Sequence, residues 1–395
     1  MSEQQSAQAP QAGAREALRV FWAFFTVGAL AFGGPAATQG LVYNKAVTQL
    51  KWISERDFLD LMGVVNLLPG PNAVEMAMHI GRSRAGKLGF IAGGLAFMLP
   101  GSVIAAILAA AYMRYGDTPS AEAVLYGVKP VVIAVTAWSA WRLARSVGFT
   151  VPRIAVMALA LIGYLFGVNE TLVLLGLGAV AAVARLLRDR RTPPKGSAVA
   201  LAGFLPGMPD RMAGFAIGRT GVGLDQLALV FFKAGALMFG GGTVLLAVLR
   251  AEVVVEQGWL TEGELLEAIT IGQITPGPIL TTATFVGYLL AGSAGAVVAT
   301  VASLIPSFAL MTLSRPLIAL LRRSPTTKAF LDGVTAAAVG VVAAVTIELA
   351  GDAIVDWVTA VEAVIAMAVM LWRPKWALAI VLAGALIGGG AALIW

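Results

Sequence analysis

The sequence contains no cysteine and only one histidine among its 395 residues. Without cysteine there are no disulfide bonds, no thiolate nucleophile and no cysteine metal ligand, and a single histidine cannot form a histidine cluster. We therefore expect neither a metal ion nor a cofactor. The chain also lacks an HExxH motif and a facing pair of acidic residues in a duplicated site, so we expect that it is not an enzyme.

Charged residues are scarce as well, at 13%, whereas hydrophobic residues make up 58% of the chain and the mean hydropathy is +0.84. This composition is too apolar for a soluble domain of this length. Apolar stretches long enough to cross a hydrocarbon core of ~30 Å recur from residue 17 to residue 394. The sequence therefore predicts an all-α polytopic membrane protein whose surroundings are membrane lipid.

The net charge of +6 does not indicate a nucleic-acid partner. Lysine and arginine lie at the ends of the apolar segments, where membrane topology explains them. Residues 1–14 are polar, with neither a basic n-region nor an A-x-A-type cleavage site. We expect a disordered tail there rather than a cleaved signal peptide.

The chain contains an internal duplication. Residues 24–71 align without a gap with residues 231–278, so that Trp52 pairs with Trp259 and the two "PGP" tripeptides, 69–71 and 276–278, coincide. After a slip of one residue, Pro100 pairs with Pro306 and Gly127 with Gly333. This predicts a first transport repeat at 15–188, a cytoplasmic linker at 189–223 and a second transport repeat at 224–395. The basic stretch "RLLRDRRTPPKG", residues 185–196, leads into the linker.

Each repeat contains six apolar segments. They lie at 17–34, 57–81, 86–114, 122–146, 152–168 and 170–187, and again at 226–242, 264–290, 294–321, 329–350, 354–372 and 376–394. Basic loops fall on one side of the membrane only if 57–81 and 264–290 are re-entrant hairpins. Each half then has about five transmembrane helices plus one re-entrant broken-helix hairpin, the two repeats are inverted, and both chain ends lie outside.

Backbone amides freed by proline or glycine must face protein or a water-filled cavity rather than lipid. A half-helix that begins after such a break points its unpaired N–H groups and its positive dipole end into the gap, which favours an anion. Ordinary helix packing or kinking is the alternative reading of any one break, but the duplication pairs four of them. The predicted anion-binding residues are Gly33, Gly34, Pro35, Pro69, Gly70, Pro71, Gly240, Gly241, Gly242, Pro276, Gly277 and Pro278, with the neighbouring polar side chains of Asn66, Asn72, Gln273, Thr275 and Thr281.

The motifs "FGGPAA", "LLPGPN" followed by "IG", "FGGG" and "TPGP" together resemble the chromate ion transporter family in its two-domain long form. The resemblance covers nearly the whole chain, although each tetrapeptide alone is unspecific. It implies a multi-pass protein of the cell inner (plasma) membrane that exports chromate. Some members are connected with sulfate, which is the alternative substrate, and a homodimer is left open.

Lys233 lies in the first segment of the second repeat, two helical turns before Gly240. An ammonium group in a membrane segment costs ~2.5 to 3.5 kcal/mol on insertion scales, so a dianion would be a suitable partner. In the alternative reading, Lys233 reaches the interface through its flexible stem.

Glu75 and His79 lie four residues apart on the helix that leaves the first break, hence on one face. Histidine changes charge near neutral pH, so this pair is a candidate for proton coupling. The alternative is a structural pair in which Arg82 or Arg84 holds Glu75.

The leading hypothesis is chromate export by alternating access, driven by the membrane potential, with optional proton coupling. Uptake or exchange of sulfate or another oxyanion remains open, and a membrane-embedded hydrolase or lipid-handling protein is a weaker alternative.

Overall fold

The computed structural model describes residues 13–31, 34–65, 68–116, 118–188, 221–238, 243–313, 325–373 and 376–391. Every regular element in these ranges is a helix, as the sequence predicts. Most of the predicted linker, residues 189–220, lies outside the described residues.

The first repeat contains seven helices, in chain order α1 (Ala14–Ala29), α2 (Gly34–Tyr43) with a π-helical continuation (Asn44–Gln49), α3 (Glu55–Val65), α4 (Asn72–Tyr115), α5 (Pro119–Val147), α6 (Val151–Leu165) and α7 (Glu170–Arg188). The second repeats this order as α8 (Leu224–Ala236), α9 (Thr243–Leu249) with a π-helical continuation (Arg250–Glu256), α10 (Glu262–Ile274), α11 (Thr281–Thr312), α12 (Pro325–Ala353), α13 (Trp357–Trp372) and α14 (Ala377–Ala391). The duplication is thus preserved helix by helix.

Helices α4 and α11 each fold back on themselves. Non-helical backbone at Ala85 and Gly86 divides α4 into arms 72–84 and 87–115, and Gly292 divides α11 in the same way. Gly86 and Gly292 have φ of +60° and +62°, a conformation that favours glycine. The arms pack closely because Gly81 lies directly against the Gly89 backbone.

Among the described residues, five helices are long and apolar enough to cross a membrane: Asn72–Tyr115, Pro119–Val147, Glu170–Arg188, Thr281–Thr312 and Pro325–Ala353. Three shorter apolar helices, Val151–Leu165, Trp357–Trp372 and Ala377–Gly390, accompany them. Large apolar side chains such as Leu172 and Leu386 are exposed on these helices, which suits lipid rather than water. The chain is a multi-pass membrane protein.

The predicted segment 17–34 is not one continuous helix. Helix α1 ends at Ala29, and the chain then returns through α2. The return is shown by Trp52, which follows the π-helical continuation of α2 and whose ring lies 6.3 Å from the ring of Phe24 in α1. The second repeat returns in the same way, since Lys233 of α8 contacts Glu252 of the π-helical segment after α9. Each repeat therefore contains a second pair of short helices, in addition to the one around its Pro-Gly-Pro break.

This return corrects the expected position of the start of the chain. The sequence reading placed the chain ends on the opposite side from the basic residues 82–87. In the structure, Glu16 at the start of α1 forms a 2.7 Å ion pair with Arg84, so both lie at the same end of the molecule. The expectation was wrong because it took α1 to cross the membrane, whereas the chain turns back after Ala29.

The last two helices of each repeat pack against the other repeat. Helix α5 of the first repeat packs against α13 and α14, whereas its equivalent α12 packs against α6 and α7. Glycines allow both contacts, because Gly127 lies against the Gly384 backbone and Gly333 lies against Gly178. Neither repeat therefore forms its helix packing alone.

The second arm of α4 and the second arm of α11 meet at the centre of the molecule and run in opposite directions. Near the start of this arm, Phe90 packs against Phe308, with ring centroids 5.3 Å apart. Twelve residues further on, Ser102 bonds to Thr284, which also bonds to Thr300. Thr284 lies on the first arm of α11, whereas Thr300 and Phe308 both lie on its second arm. The partner residues on the second arm thus move backwards from Phe308 to Thr300 as the chain moves forwards along α4.

Candidate functional site

The two Pro-Gly-Pro breaks are joined to each other's repeats by backbone hydrogen bonds. Gly70 N–H donates to the carbonyl of Met238 at 3.0 Å, and Gly277 N–H donates to the carbonyl of Ala31 at 2.9 Å. Gly70 and Gly277 are equivalent in the duplication, as are Ala31 and Met238. Each Pro-Gly-Pro break is therefore held against the end of the first short helix of the other repeat.

Helices α4 and α11 contribute a second pair of equivalent contacts to this junction. Gly101, after Pro100, packs against the backbone of Pro276 and the side chain of Thr281. Ser307, after Pro306, faces Gly70 from the other repeat. We call the region formed by Gly70, Gly101, Gly277 and Ser307 the junction.

The half of the junction around Pro276 is lined by hydroxyl groups. Thr275 Oγ1 donates to the Gly272 carbonyl at 2.9 Å and lies 2.8 Å from Thr281 Oγ1, so it can accept a hydrogen bond from the Thr281 hydroxyl. The side chain of Thr282 is completely buried, and its Oγ1 has no hydrogen-bond partner within the described chain. The Thr282 hydroxyl can therefore donate to an oxyanion directly, whereas Thr275 and Thr281 would have to exchange their internal hydrogen bonds to do so.

The other half of the junction contains Glu75. Its side chain is completely buried, and neither carboxyl oxygen has a hydrogen-bond partner among the described residues. Glu75 and the unpartnered Ser307 Oγ both lie against Gly70. An ionised carboxylate without a donor is costly to bury, so this group needs a proton, water or another partner.

The structure does not support the alternative in which an arginine holds Glu75. Arg84 pairs with Glu16 at 2.7 Å and stacks on Trp52, and Arg82 lies over the Phe90 ring. His79 is half-buried one turn after Glu75 on the same helix.

Helix starts converge on the junction. Helix α4 begins at Asn72 directly after the first break, and α11 begins at Thr281 after the second. The first N–H groups of a helix have no intrahelical acceptor, and the helix dipole makes this end positive. Both starts therefore favour a negative charge nearby.

Lys233 lies apart from these hydroxyls, in an ion pair with Glu252. The Glu252 side chain is only 4% exposed, and that of Lys233 is 35% exposed. Lys233 therefore has a buried carboxylate partner that the sequence did not predict, and its role towards an anion stays a prediction.

The described chain includes some of the remaining predicted residues and omits others. Gly34 and Pro35 form the first turn of α2, Pro71 and Pro276 are buried, and Pro69, Gln273 and Pro278 are half-buried. Gly33, Asn66, Gly240, Gly241 and Gly242 lie outside the described residues.

Sequence reasoning missed Ser307 and the chain of hydroxyls formed by Ser102, Thr284 and Thr300. One signal for Ser307 was present, because it follows Pro306 and thus pairs with Gly101 in the duplication. The contact of Ser307 with Gly70 of the other repeat could not be predicted from the alignment.

The sequence pattern of the family described as "Chromate transporter" matches residues 18–183 and 226–389. The chain is 33% identical to the chromate transport protein of Cupriavidus metallidurans, over 93% of this chain and 90% of the relative. It is also 33% identical to the probable chromate transport protein of Synechococcus elongatus, over 89% of this chain and 88% of the relative.

A third relative, the chromate transport protein of Pseudomonas aeruginosa, is 32% identical over 84% of this chain and 80% of its own length. No solved structure is significantly similar to the chain. The two matched regions coincide with the two repeats whose breaks form the junction, and the chain therefore belongs to the chromate transporter family.

Proposed function

We propose that this protein exports chromate, a tetrahedral dianion, from the cytoplasm by alternating access between two inverted repeats. Three relatives at 32–33% identity are named as chromate transport proteins. The observation that carries the proposal is the reciprocal pair of hydrogen bonds, Gly70 to Met238 and Gly277 to Ala31. They hold the helix start after each break against the other repeat, which supports an oxyanion bound between the repeats.

In this proposal the junction is the substrate site. Backbone N–H groups at the starts of the short helices and threonine hydroxyls replace water around the four oxygens of chromate. The proposed residues are Gly33, Gly34, Pro35, Asn66, Pro69, Gly70, Pro71, Asn72, Gly240, Gly241, Gly242, Gln273, Thr275, Pro276, Gly277, Pro278, Thr281 and Thr282, and we add Ser307. Lys233 would act from a distance, through its pair with Glu252.

The opposite directions of α4 and α11 support inversion of the repeats. Equivalent contacts occur in reciprocal pairs, as expected when two similar units are related by a two-fold axis. The short helices α1 and α2, and likewise α8 and α9, return towards the side from which they start. By analogy, we propose that the hairpins around the Pro-Gly-Pro breaks are also re-entrant. Irregular backbone at membrane depth is tolerated where protein covers it, as at these breaks.

We place the end of the molecule that carries Arg84, Arg153 and Arg188 in the cytoplasm, because cytoplasmic ends are enriched in lysine and arginine. The opposite end carries Glu170, which begins α7, and Asp356, which caps α13. This assignment places the start of α1 inside. We propose the inner (plasma) membrane as the location.

A membrane potential that is negative inside favours the exit of an anion. Each charge moved is worth ~2.3 kcal/mol per 100 mV, so an exiting dianion gains ~4.6 kcal/mol. Export therefore requires no coupled cation. Glu75 and His79 remain the proposed route for protons, should a pH gradient also contribute.

Chromate flux into or out of proteoliposomes tests the proposal. We expect chromate flux that increases with an imposed potential, and that exceeds sulfate flux measured in parallel. Preferred transport of sulfate would replace chromate as the substrate. No flux of either ion from inserted, folded protein would refute the proposed function.

A further inference from the structure

A cavity of about 710 Å³ lies between α4 and α11, but a larger one of about 1110 Å³ opens beside the start of α1. The larger cavity is lined by residues of α1, by Lys45 of the π-helical segment after α2, and by Trp52 and Arg84. We call it the vestibule. It lies at the basic end of the molecule, which the proposed function places in the cytoplasm.

The charged residues of the vestibule are mostly basic. Arg15, Arg19, Lys45 and Arg84 line it together with apolar side chains such as Leu18 and Trp22, and Glu16 is its one acidic residue. Glu16 pairs with Arg84 at 2.7 Å and with Arg19 at 3.4 Å. Neither Arg15 nor Lys45 forms a salt bridge with a carboxylate in the described part of the chain, so the vestibule keeps excess positive charge.

One cation of the vestibule, Arg84, is held in place. The Arg84 guanidinium lies over the Trp52 ring at 5.6 Å, and the backbone N–H of Trp52 donates to the Ala46 carbonyl at 2.7 Å. Glu16 is 5% exposed and fixes the other side of Arg84. A cation held by stacking and an ion pair is pre-organised to meet an anion, unlike a flexible surface lysine.

The vestibule extends towards the junction. Thr26 lines it and lies five residues before Ala31, whose carbonyl accepts the Gly277 hydrogen bond. Helix α1 ends at Ala29, so three of these five steps rise about 1.5 Å each and the last two span at most about 3.6 Å each. The inner end of the vestibule therefore lies within about 12 Å of the carbonyl that holds the Gly277 break.

The duplication shows that this charge distribution belongs to one end only. Thr26 and Lys45 are equivalent to Lys233 and Glu252 in the second repeat. There the two side chains pair with each other, and Glu252 is almost completely buried. The position equivalent to Lys45 at the opposite end thus holds Glu252, whose charge is balanced by an internal ion pair. Lys45 itself has no carboxylate partner in the described part of the chain.

We propose that the vestibule is a second anion site, which collects the oxyanion from the cytoplasm and delivers it to the junction. This inference rests on the proposed function. A cleft lined by charge of one sign concentrates ions of the opposite sign and increases their association rate. Because the position equivalent to Lys45 at the opposite end holds Glu252 in an ion pair, capture is faster from the cytoplasm than from outside.

The test compares Lys45→Gln and Arg15→Gln with Arg145→Gln. Arg145 is exposed on the same basic end, outside the vestibule, so that variant removes the same charge without altering the site. Chromate flux is measured in proteoliposomes with chromate added on the cytoplasmic face, at several salt concentrations. Lys45→Arg tests whether charge alone restores capture.

We expect Lys45→Gln and Arg15→Gln each to raise the KM for chromate about threefold or more at low salt, with kcat unchanged. This effect should shrink as salt screens the charges, and Lys45→Arg should restore the wild-type KM. For chromate added on the opposite face, we expect all variants to have the wild-type KM and kcat. An unchanged KM in both glutamine variants, or an equal rise in Arg145→Gln, would overturn the vestibule while leaving wild-type chromate transport, and hence the proposed function, intact.

Discussion

Replacing Gly70 with alanine should disrupt the junction more than the same change at its equivalent, Gly277. Gly70 has φ of +151° and Gly277 has φ of +105°, both in the region that residues with a Cβ atom rarely adopt. Each alanine therefore carries a backbone strain of about 1 to 3 kcal/mol. This part of the cost is shared by the two variants.

The two positions differ in the space around them. A Cβ atom at Gly70 would collide with the carboxyl group of Glu75 and the hydroxyl of Ser307. At Gly277, the nearest atoms belong to Gly101 and Thr281 at 3.7 Å, which is ordinary contact. Overpacking costs about 1 to 3 kcal/mol in addition, so we expect Gly70→Ala to lose about 2 to 6 kcal/mol and Gly277→Ala about 1 to 3.

Thermal unfolding of the purified protein, followed by tryptophan fluorescence, measures the order of these effects. Gly63→Ala in α3 is the control, because no atom lies within 4 Å of the added methyl group, and alanine is favoured in a helix. We expect Gly63→Ala at or above wild type, Gly277→Ala below it and Gly70→Ala lowest. Adding Ser307→Ala to Gly70→Ala should recover part of the loss.

Equal unfolding temperatures for Gly70→Ala and Gly277→Ala would refute the close contact between Gly70, Glu75 and Ser307. A Gly70→Ala protein that is as stable as wild type would refute the positive φ as well.

Three further predictions concern the proton pair, the buried ion pair and the topology. Glu75→Gln should abolish the acceleration of efflux by a pH gradient but leave potential-driven chromate efflux, and identical pH dependence in wild type and variant would exclude the proton role. Lys233→Met should weaken chromate binding and destabilise the protein by about 3 to 5 kcal/mol, because it leaves Glu252 buried without its cation. Adding Glu252→Gln should restore stability, and wild-type binding in that double variant would show that Lys233 does not tune the substrate site. Single cysteines at Ser83 and Ser293, introduced into this cysteine-free chain, should react with a membrane-impermeant maleimide from opposite sides, and labelling from the same side would refute the inverted repeats.

The positions of the breaks could be predicted from sequence because proline and glycine act locally. Pro69 to Pro71 interrupt a helix wherever it lies, and the duplication identified Pro276 to Pro278 as the equivalent interruption. The family followed from the same residues. These features depend on short-range backbone chemistry, which a single sequence records.

The return of α1 through α2 was missed because a hydrophobic segment of 18 residues can either cross a membrane or break and turn back. The pairing of Glu16 with Arg84, which decides between these two, joins residues 68 positions apart. The partners of Gly70 were missed for the same reason, since Met238 and Ser307 belong to the other repeat. Only the packing of the repeats brings them together.

We propose that chromate binds at the Pro-Gly-Pro breaks, between the two repeats. Anomalous X-ray scattering at the chromium edge, from crystals of the protein with chromate, locates the bound ion directly. We predict a chromium peak within hydrogen-bond distance of Gly70 to Asn72 or of Pro276 to Thr281. A peak only in the vestibule, or only at a surface away from both breaks, would contradict this binding site.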